Sequence, residues 1–142
     1  MKIIFLDIDG VLIAFKWFKE RKKFQNFNPE CVNALKHIVE QTGAKIVISS
    51  TWRIYPYDWK YLFKAHGLDP NLMVGHTPIL SDIRGEEILA WLRDLDWGEV
   101  ESFVILDDYD EMGDLKDHLV LTDGKIGLTM QDAQRAIEIL NS

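Results

Sequence analysis

The chain holds one cysteine, Cys31, which excludes an internal disulfide and points to a reducing compartment. No stretch approaches the roughly 20 consecutive apolar residues that a membrane span requires, so no membrane partner is expected. The opening residues, MKIIFLDIDGVLIAF, resemble a signal peptide, but Asp7 and Asp9 fall inside what would be its apolar region and no small-residue cleavage site follows. A cytoplasmic location is the expectation. His37, His66, His76 and His118 are scattered without zinc-type spacing. Positive charge is scarce as well: 16 Lys and Arg face 23 Asp and Glu, a formal net charge of -7. That balance argues against a general nucleic-acid coat, because sequence-independent affinity for phosphate backbones comes from basic side chains. Glycine and proline are sparse, repeats and low-complexity tracts are absent, and 47% of the residues are apolar. Such a chain of 142 residues suits one globular domain over 1–142.

Three short β-branched runs, Lys2 to Leu6, Lys45 to Ser49 and Phe103 to Leu106, have the character of strands buried on both faces, and His118 to Leu121 repeats it more weakly. Helical patterns lie between them. Asn28-Pro29-Glu30 places a cap before a proline, apolar residues follow at helical spacing, and Gly43 closes the pattern. Trp59 to His66, ended by Gly67, is a shorter helix. Ser81 or Asp82 is the candidate cap for a third, carrying Ile88, Trp91, Leu92 and Leu95. Thr129 and Asp132 form a capping-box pattern ahead of Ala133, Ala136, Ile137 and Leu140. Strands alternating with helices predict an α/β fold: a single doubly wound, Rossmann-like domain with a parallel central sheet.

In such sheets ligands bind beyond the carboxyl ends of the strands. There the first three strand candidates carry polar groups: Asp7-Ile-Asp9, Ser49-Ser50-Thr51 and Asp107-Asp108. Four carboxylates gathered at one edge repel by several kcal/mol at an effective dielectric of about 20, so a positive partner is required. A hard divalent cation fits an all-oxygen ligand set, and Mg²⁺ suits carboxylates combined with substrate phosphate better than zinc does. A metal beside a carboxylate nucleophile, with hydroxyls and a cation near, is equipment for phosphoryl transfer.

The ordered stretches FLDIDGVL, IVISSTWR, IRGEEILAWL and FVILDD resemble the four motifs of the haloacid dehalogenase-like (HAD) superfamily of aspartate-nucleophile phosphatases. More narrowly, HLVLTDGKIGLTMQDAQRAIEIL is similar to the ending of small cap-less HAD domains from RNA-repair proteins. The resemblance implies that Asp7 attacks phosphorus and also binds Mg²⁺, and that Asp9 protonates the leaving oxygen and places its backbone carbonyl on the metal. It further implies that Ser49 contacts the phosphoryl group, Arg84 stabilises its charge, and Asp107 with Asp108 completes the metal site. The family's third motif is usually a lysine; Arg84 holds that place, with Lys60 and Lys64 as rivals, and Ser50 and Thr51 compete with Ser49 for the phosphate.

KWFKERKK, residues 16 to 23, sets five basic residues against one acidic one within a basic and aromatic insert at about 13–27. Lys16, Lys19 and Arg21, interleaved with Phe15, Trp17, Phe18, Phe24 and Phe27, suit phosphate contact and base stacking on a nucleic-acid end, or else form a solvated face. Trp52-Arg53 is a candidate second phosphate contact or a packed pair, with Ser50 beside it. Trp91, Trp97 and Cys31 read as packing residues. The gaps between motifs, about 40 and about 30 residues, are too short for a cap domain, which leaves the site open to large substrates. The competing expectation is a receiver-like or non-catalytic module that accepts or binds phosphate without turnover.

Overall fold

The computed structural model describes residues 1–15, 27–95 and 99–142. Lys16, Lys19 and Arg21, the rest of KWFKERKK, and Trp97 lie outside the described residues.

Five strands form one all-parallel sheet: β1 (Lys2–Leu6), β2 (Lys45–Ile48), β3 (Met73–His76), β4 (Ser102–Asp107) and β5 (Leu119–Leu121), in the order β3-β2-β1-β4-β5. The first strand in the chain is therefore the central one in space. Side chains alternate across the sheet, and the alternation divides the core in two. Ile4, Leu6, Ile46, Ile48 and Leu106 face one side, beneath α1 (Pro29–Thr42), α2 (Trp59–Ala65) and α4 (Met130–Asn141). Ile3, Phe5, Val47 and Ile105 face the other, beneath α3 (Arg84–Arg93), whose Ile88 and Trp91 pack onto them. Phe5 meets Trp91 edge-on at 5.4 Å. Among the described residues no cap stands apart from this α/β layer, and no helix is long and apolar enough to cross a membrane.

The helix ends follow local chemistry with two departures. Thr129 and Asp132 close the capping box of α4, and Gly43 ends α1 at φ 71. Asn28 occupies the N-cap position of α1 but makes no capping bond; its Oδ1 instead accepts from the backbone N–H of Ala14 at 2.7 Å. The third helix begins at Arg84, after Ile83, rather than at Ser81 or Asp82, and it stops short of Leu95. Ser81 Oγ accepts from Ile83 N at 3.1 Å and bonds Glu86, shaping the turn before the helix.

β3 is the element that the sequence pattern hides. MVGH is four residues long, contains a glycine and occupies a sheet edge with every second residue exposed, so it lacks the continuous apolar run of a central strand. Phe27 also departs from its expected place among the binding aromatics: it is buried and stacks on His66 at 4.3 Å.

Leu35, fully buried under the sheet, tests the core directly. Leu35→Ala should lower unfolding free energy by about 2–5 kcal/mol in denaturant titration, whereas Tyr61→Ala, at a position 70% exposed, should stay within about 0.5 kcal/mol of wild type.

Candidate active site

Strand register gathers the site. Leu6 pairs with Leu106 on one side and Ile48 on the other, so the residue after each strand's last apolar position, Asp107, Asp7 and Ser49, falls into one row. Backbone hydrogen bonds carry the row past the strands' apolar ends: Asp7 N donates to Leu106 O at 3.1 Å, and Ser49 N to Leu6 O at 3.0 Å. Alternation puts all three side chains on the α3 face, continuing the column begun by Phe5, Ile105 and Val47. Arg84, the first residue of α3, then lies above the row. Its Nη1 stands 3.1 Å from Asp7 Oδ1 and 2.7 Å from Asp107 Oδ2.

Burial and like charge dominate the electrostatics. Asp7 is 4% exposed and Asp107 fully buried. Burial first, and then the neighbouring Asp107 charge, push the Asp7 carboxyl well above the usual carboxylate range, against the opposing pull of Arg84. Burial raises Asp107 as well, again opposed by Arg84. Burial disfavours the charged guanidinium, yet Asp7 and Asp107 together outweigh it and raise Arg84 above its ordinary value. Carboxylate oxygens of Asp7, Asp107 and Asp108 lie within 4.8 Å of one another, a spacing at which one hard cation could take an oxygen from each.

The loop after β1 is shaped around this cluster. Gly10 adopts φ +83, and a Cβ there would overlap the Asp108 side chain, so glycine is required twice over, for backbone and for space. Thr122 Oγ1 donates to Gly10 O at 2.7 Å, and Leu128 N donates to Val11 O at 2.8 Å, so the stretch leading into α4 braces the loop. Gly127 adds close contact: a Cβ there would stand 2.7 Å from Cys31 Sγ. Cys31 itself is buried, and burial pushes its thiol up to about 11, which makes it a packing group. Trp52 Nε1 donates to Asp9 Oδ2 at 3.1 Å, while Asp9 Oδ1 is buried without a hydrogen-bond partner among the described residues.

The structure separates the rival residues. Ser49 Oγ is buried and has no hydrogen-bond partner among the described residues. Ser50 Oγ instead accepts from Trp52 N at 3.2 Å and caps the 3-10 turn Thr51–Ile54, and Thr51 is exposed. Lys60 and Lys64 are exposed on α2, which packs on the opposite face of the sheet, so Arg84 alone of the three touches the row. Arg53 is not displayed for substrate. Its side chain is 3% exposed and donates to Thr77 O at 2.9 Å, Ser49 O at 3.2 Å, Ser50 O at 2.8 Å and Pro78 O at 3.2 Å. It also pairs with buried Glu87 at 2.7 Å. Every guanidinium nitrogen is engaged, and the ion pair ties the loops after β2 and β3 to α3, one turn beyond Arg84. Glu87 and Thr122 are not legible in the sequence, since each acts through a partner far along the chain. The capping-box helix that follows Gly127 was the nearest available signal.

A parallel sheet whose central strand ends in Asp-x-Asp-Gly, flanked by a strand-end hydroxyl on one side and a carboxylate pair on the other, defines a HAD-type domain. Residues 3–133 match the family described as HAD domain in Swiss Army Knife RNA repair proteins, and the chain belongs to that family. Membership supports a hydrolase of phosphatase type, and the acidic cluster is compatible with metal binding. No curated protein and no solved structure matches the chain.

Two measurements follow from the charges. Because the folded Asp7 and Asp107 pKa values are raised, the folded protein binds protons that the unfolded chain has released. The stability of the metal-free protein therefore falls as pH rises above about 4, the ordinary carboxylate value. Millimolar divalent cation should raise the melting temperature at pH 7.5 and do so less at pH 5, where protons compete; equal shifts at both pH values would contradict the cluster. Separately, Arg53→Met leaves Glu87 charged and buried, and should cost about 3–5 kcal/mol in denaturant titration.

Proposed function

We propose that the protein is a Mg²⁺-dependent phosphomonoesterase that works through an aspartyl-phosphate on Asp7 and acts on terminal phosphates of nucleic acids. The observation that carries this reading is the row Asp107, Asp7 and Ser49 at the strand ends with Arg84 bonded across it. The oxygen-only donor set of Asp7, Asp107 and Asp108 suits Mg²⁺, and the family resemblance adds the Asp9 carbonyl to it. Bound there, the ion supplies positive charge to the phosphoryl oxygens and relieves the repulsion among the carboxylates.

The chain's own residues divide the remaining work. The Asp7 carboxylate attacks phosphorus, forming a new O–P bond as the bond to the leaving oxygen breaks. Asp9 gives that oxygen a proton and later takes one from the water that hydrolyses the aspartyl-phosphate. Trp52 fixes one oxygen of Asp9, and the other has no hydrogen-bond partner among the described residues, an arrangement suited to carrying a proton. The Ser49 hydroxyl donates to a phosphoryl oxygen, and Arg84 balances the charge that develops there.

Three features support a nucleic-acid end as substrate: the family's description, the absence of a cap among the described residues, and the basic, aromatic composition of the insert. The receiver-like alternative shares a phosphate-accepting aspartate on the spatially central strand, since β1 lies at the middle of the sheet. What separates the two readings is Asp9, an acid and base two residues from the nucleophile, which a protein that turns over its phosphate requires.

Asp7→Asn should reduce phosphate release from an aryl phosphate by at least about a thousandfold. In steady-state assays with Mg²⁺, terminally phosphorylated oligonucleotides should be turned over faster than sugar phosphates. An active Asp7→Asn protein contradicts the mechanism, and the reverse substrate order removes the nucleic-acid assignment.

A further inference from the structure

The row at the strand ends extends one strand further than the sequence motifs do. Ile48 pairs with His76 in β3, and Thr77 N donates to Ile48 O at 3.0 Å, which sets Thr77 beside Ser49 as Ser49 is set beside Asp7. Gly75, two residues earlier, lies against Trp91 of α3, 3.5 Å from where its Cβ would be. By alternation, Thr77 therefore belongs to the α3 face with Asp7 and Ser49.

Among the described residues, the buried side-chain oxygens without a hydrogen-bond partner are Asp9 Oδ1, Ser49 Oγ and Thr77 Oγ1. A buried polar atom left unpaired is costly and rare, and native proteins keep one where a ligand or water completes it. One of the three belongs to Ser49, which the motifs assign to the phosphoryl group, another to Asp9, which they assign to the leaving oxygen, and the third, on Thr77, adjoins Ser49 in the row. The rest of Thr77 is satisfied. Its N–H is bonded to Ile48 O, and its carbonyl accepts from Arg53 Nε at 2.9 Å. The same guanidinium holds Ser49 O at 3.2 Å, so one buried side chain fixes the backbones of both hydroxyl-bearing residues. Ser49 and Thr77, like Asp107, are fully buried.

We propose that the Thr77 hydroxyl is a second donor to the substrate, receiving with Ser49 the phosphate oxygens that point away from the acidic end of the row. The proposal rests on the phosphatase reading above. It gives the row a polarity: carboxylates and cation on the β4 side, two neutral donors on the β2 and β3 side, with Asp7 between them. A phosphate held at both ends presents phosphorus to Asp7 in one orientation, which is the positioning that phosphoryl transfer depends on.

The test uses the full chain with Mg²⁺ and orthovanadate, read by equilibrium binding, together with melting temperature in the absence of vanadate. Thr77→Val keeps the side-chain shape and removes the hydroxyl. Vanadate affinity should fall about tenfold, the expectation for one hydrogen bond to a charged group. The ligand-free melting temperature should hold or rise, because an unpaired buried oxygen has been removed. Thr77→Ser should restore affinity. Wild-type affinity in Thr77→Val overturns the proposal whatever its melting temperature, and so does a loss that Thr77→Ser fails to restore, which would assign the effect to packing. The Asp7→Asn control separates the two levels: full activity there sinks the phosphatase reading, whereas an inactive Asp7→Asn beside a Thr77→Val protein that binds normally sinks only the role of Thr77.

Discussion

Parallel register forces like charges together. Once Leu6 is aligned with both Leu106 and Ile48, Asp7 and Asp107 have no choice but to emerge side by side, and the next residue, Asp108, joins them against the backbone of Gly10. Much of the remaining architecture of this edge answers that repulsion. Arg84 is brought over the row by the start of α3, the Arg53–Glu87 pair secures the helix to the two flanking loops, and the stretch from Thr122 to Leu128 holds the loop that carries Asp9. None of these contacts makes the carboxylates comfortable. They remain elevated in pKa despite the guanidinium, so the folded chain stores an unfavourable charge arrangement that a divalent cation would relieve.

This trade is an instance of a general tension between stability and function. A core of the same size with neutral residues at positions 7, 107 and 108 would fold with less internal opposition. Here the two apolar faces of the sheet hold the strands in register firmly enough to carry the charged row at their ends. Burial does two things at once: it raises the electrostatic penalty of gathering these carboxylates, and it strengthens every polar interaction made there.

How far the sequence discloses this depends on whether a residue acts locally. Asp7, Asp9, Asp107 and Asp108 were legible because they terminate apolar runs, and a strand end needs no distant partner to be recognised. The doubly wound arrangement followed from the alternation of strands and helices. Ser49, Ser50 and Thr51 could not be ranked, because only the fold reveals that Ser50 is committed to capping the turn at Trp52. Arg53 stayed open between a phosphate contact and a packed pair for the same reason: its partners, Glu87 and the Thr77 and Pro78 carbonyls, lie beyond any local pattern. β3 was hidden by its edge position and its glycine, and with it the row's fourth member.

Asn28 has a consequence of another kind. Its N–H donates to Leu12 O at 2.8 Å and its side chain accepts from Ala14 N, while Phe15 N donates to Gly124 O at 2.8 Å. The residues on either side of 16–26 are thus tied to one another and, through Gly124, to the stretch leading into α4. Loop-closure entropy changes only slowly with length, so a change in the number of residues between two points fixed in this way should leave the surrounding fold standing. The strand-end row of Asp107, Asp7 and Ser49 is set by sheet register and does not depend on that number.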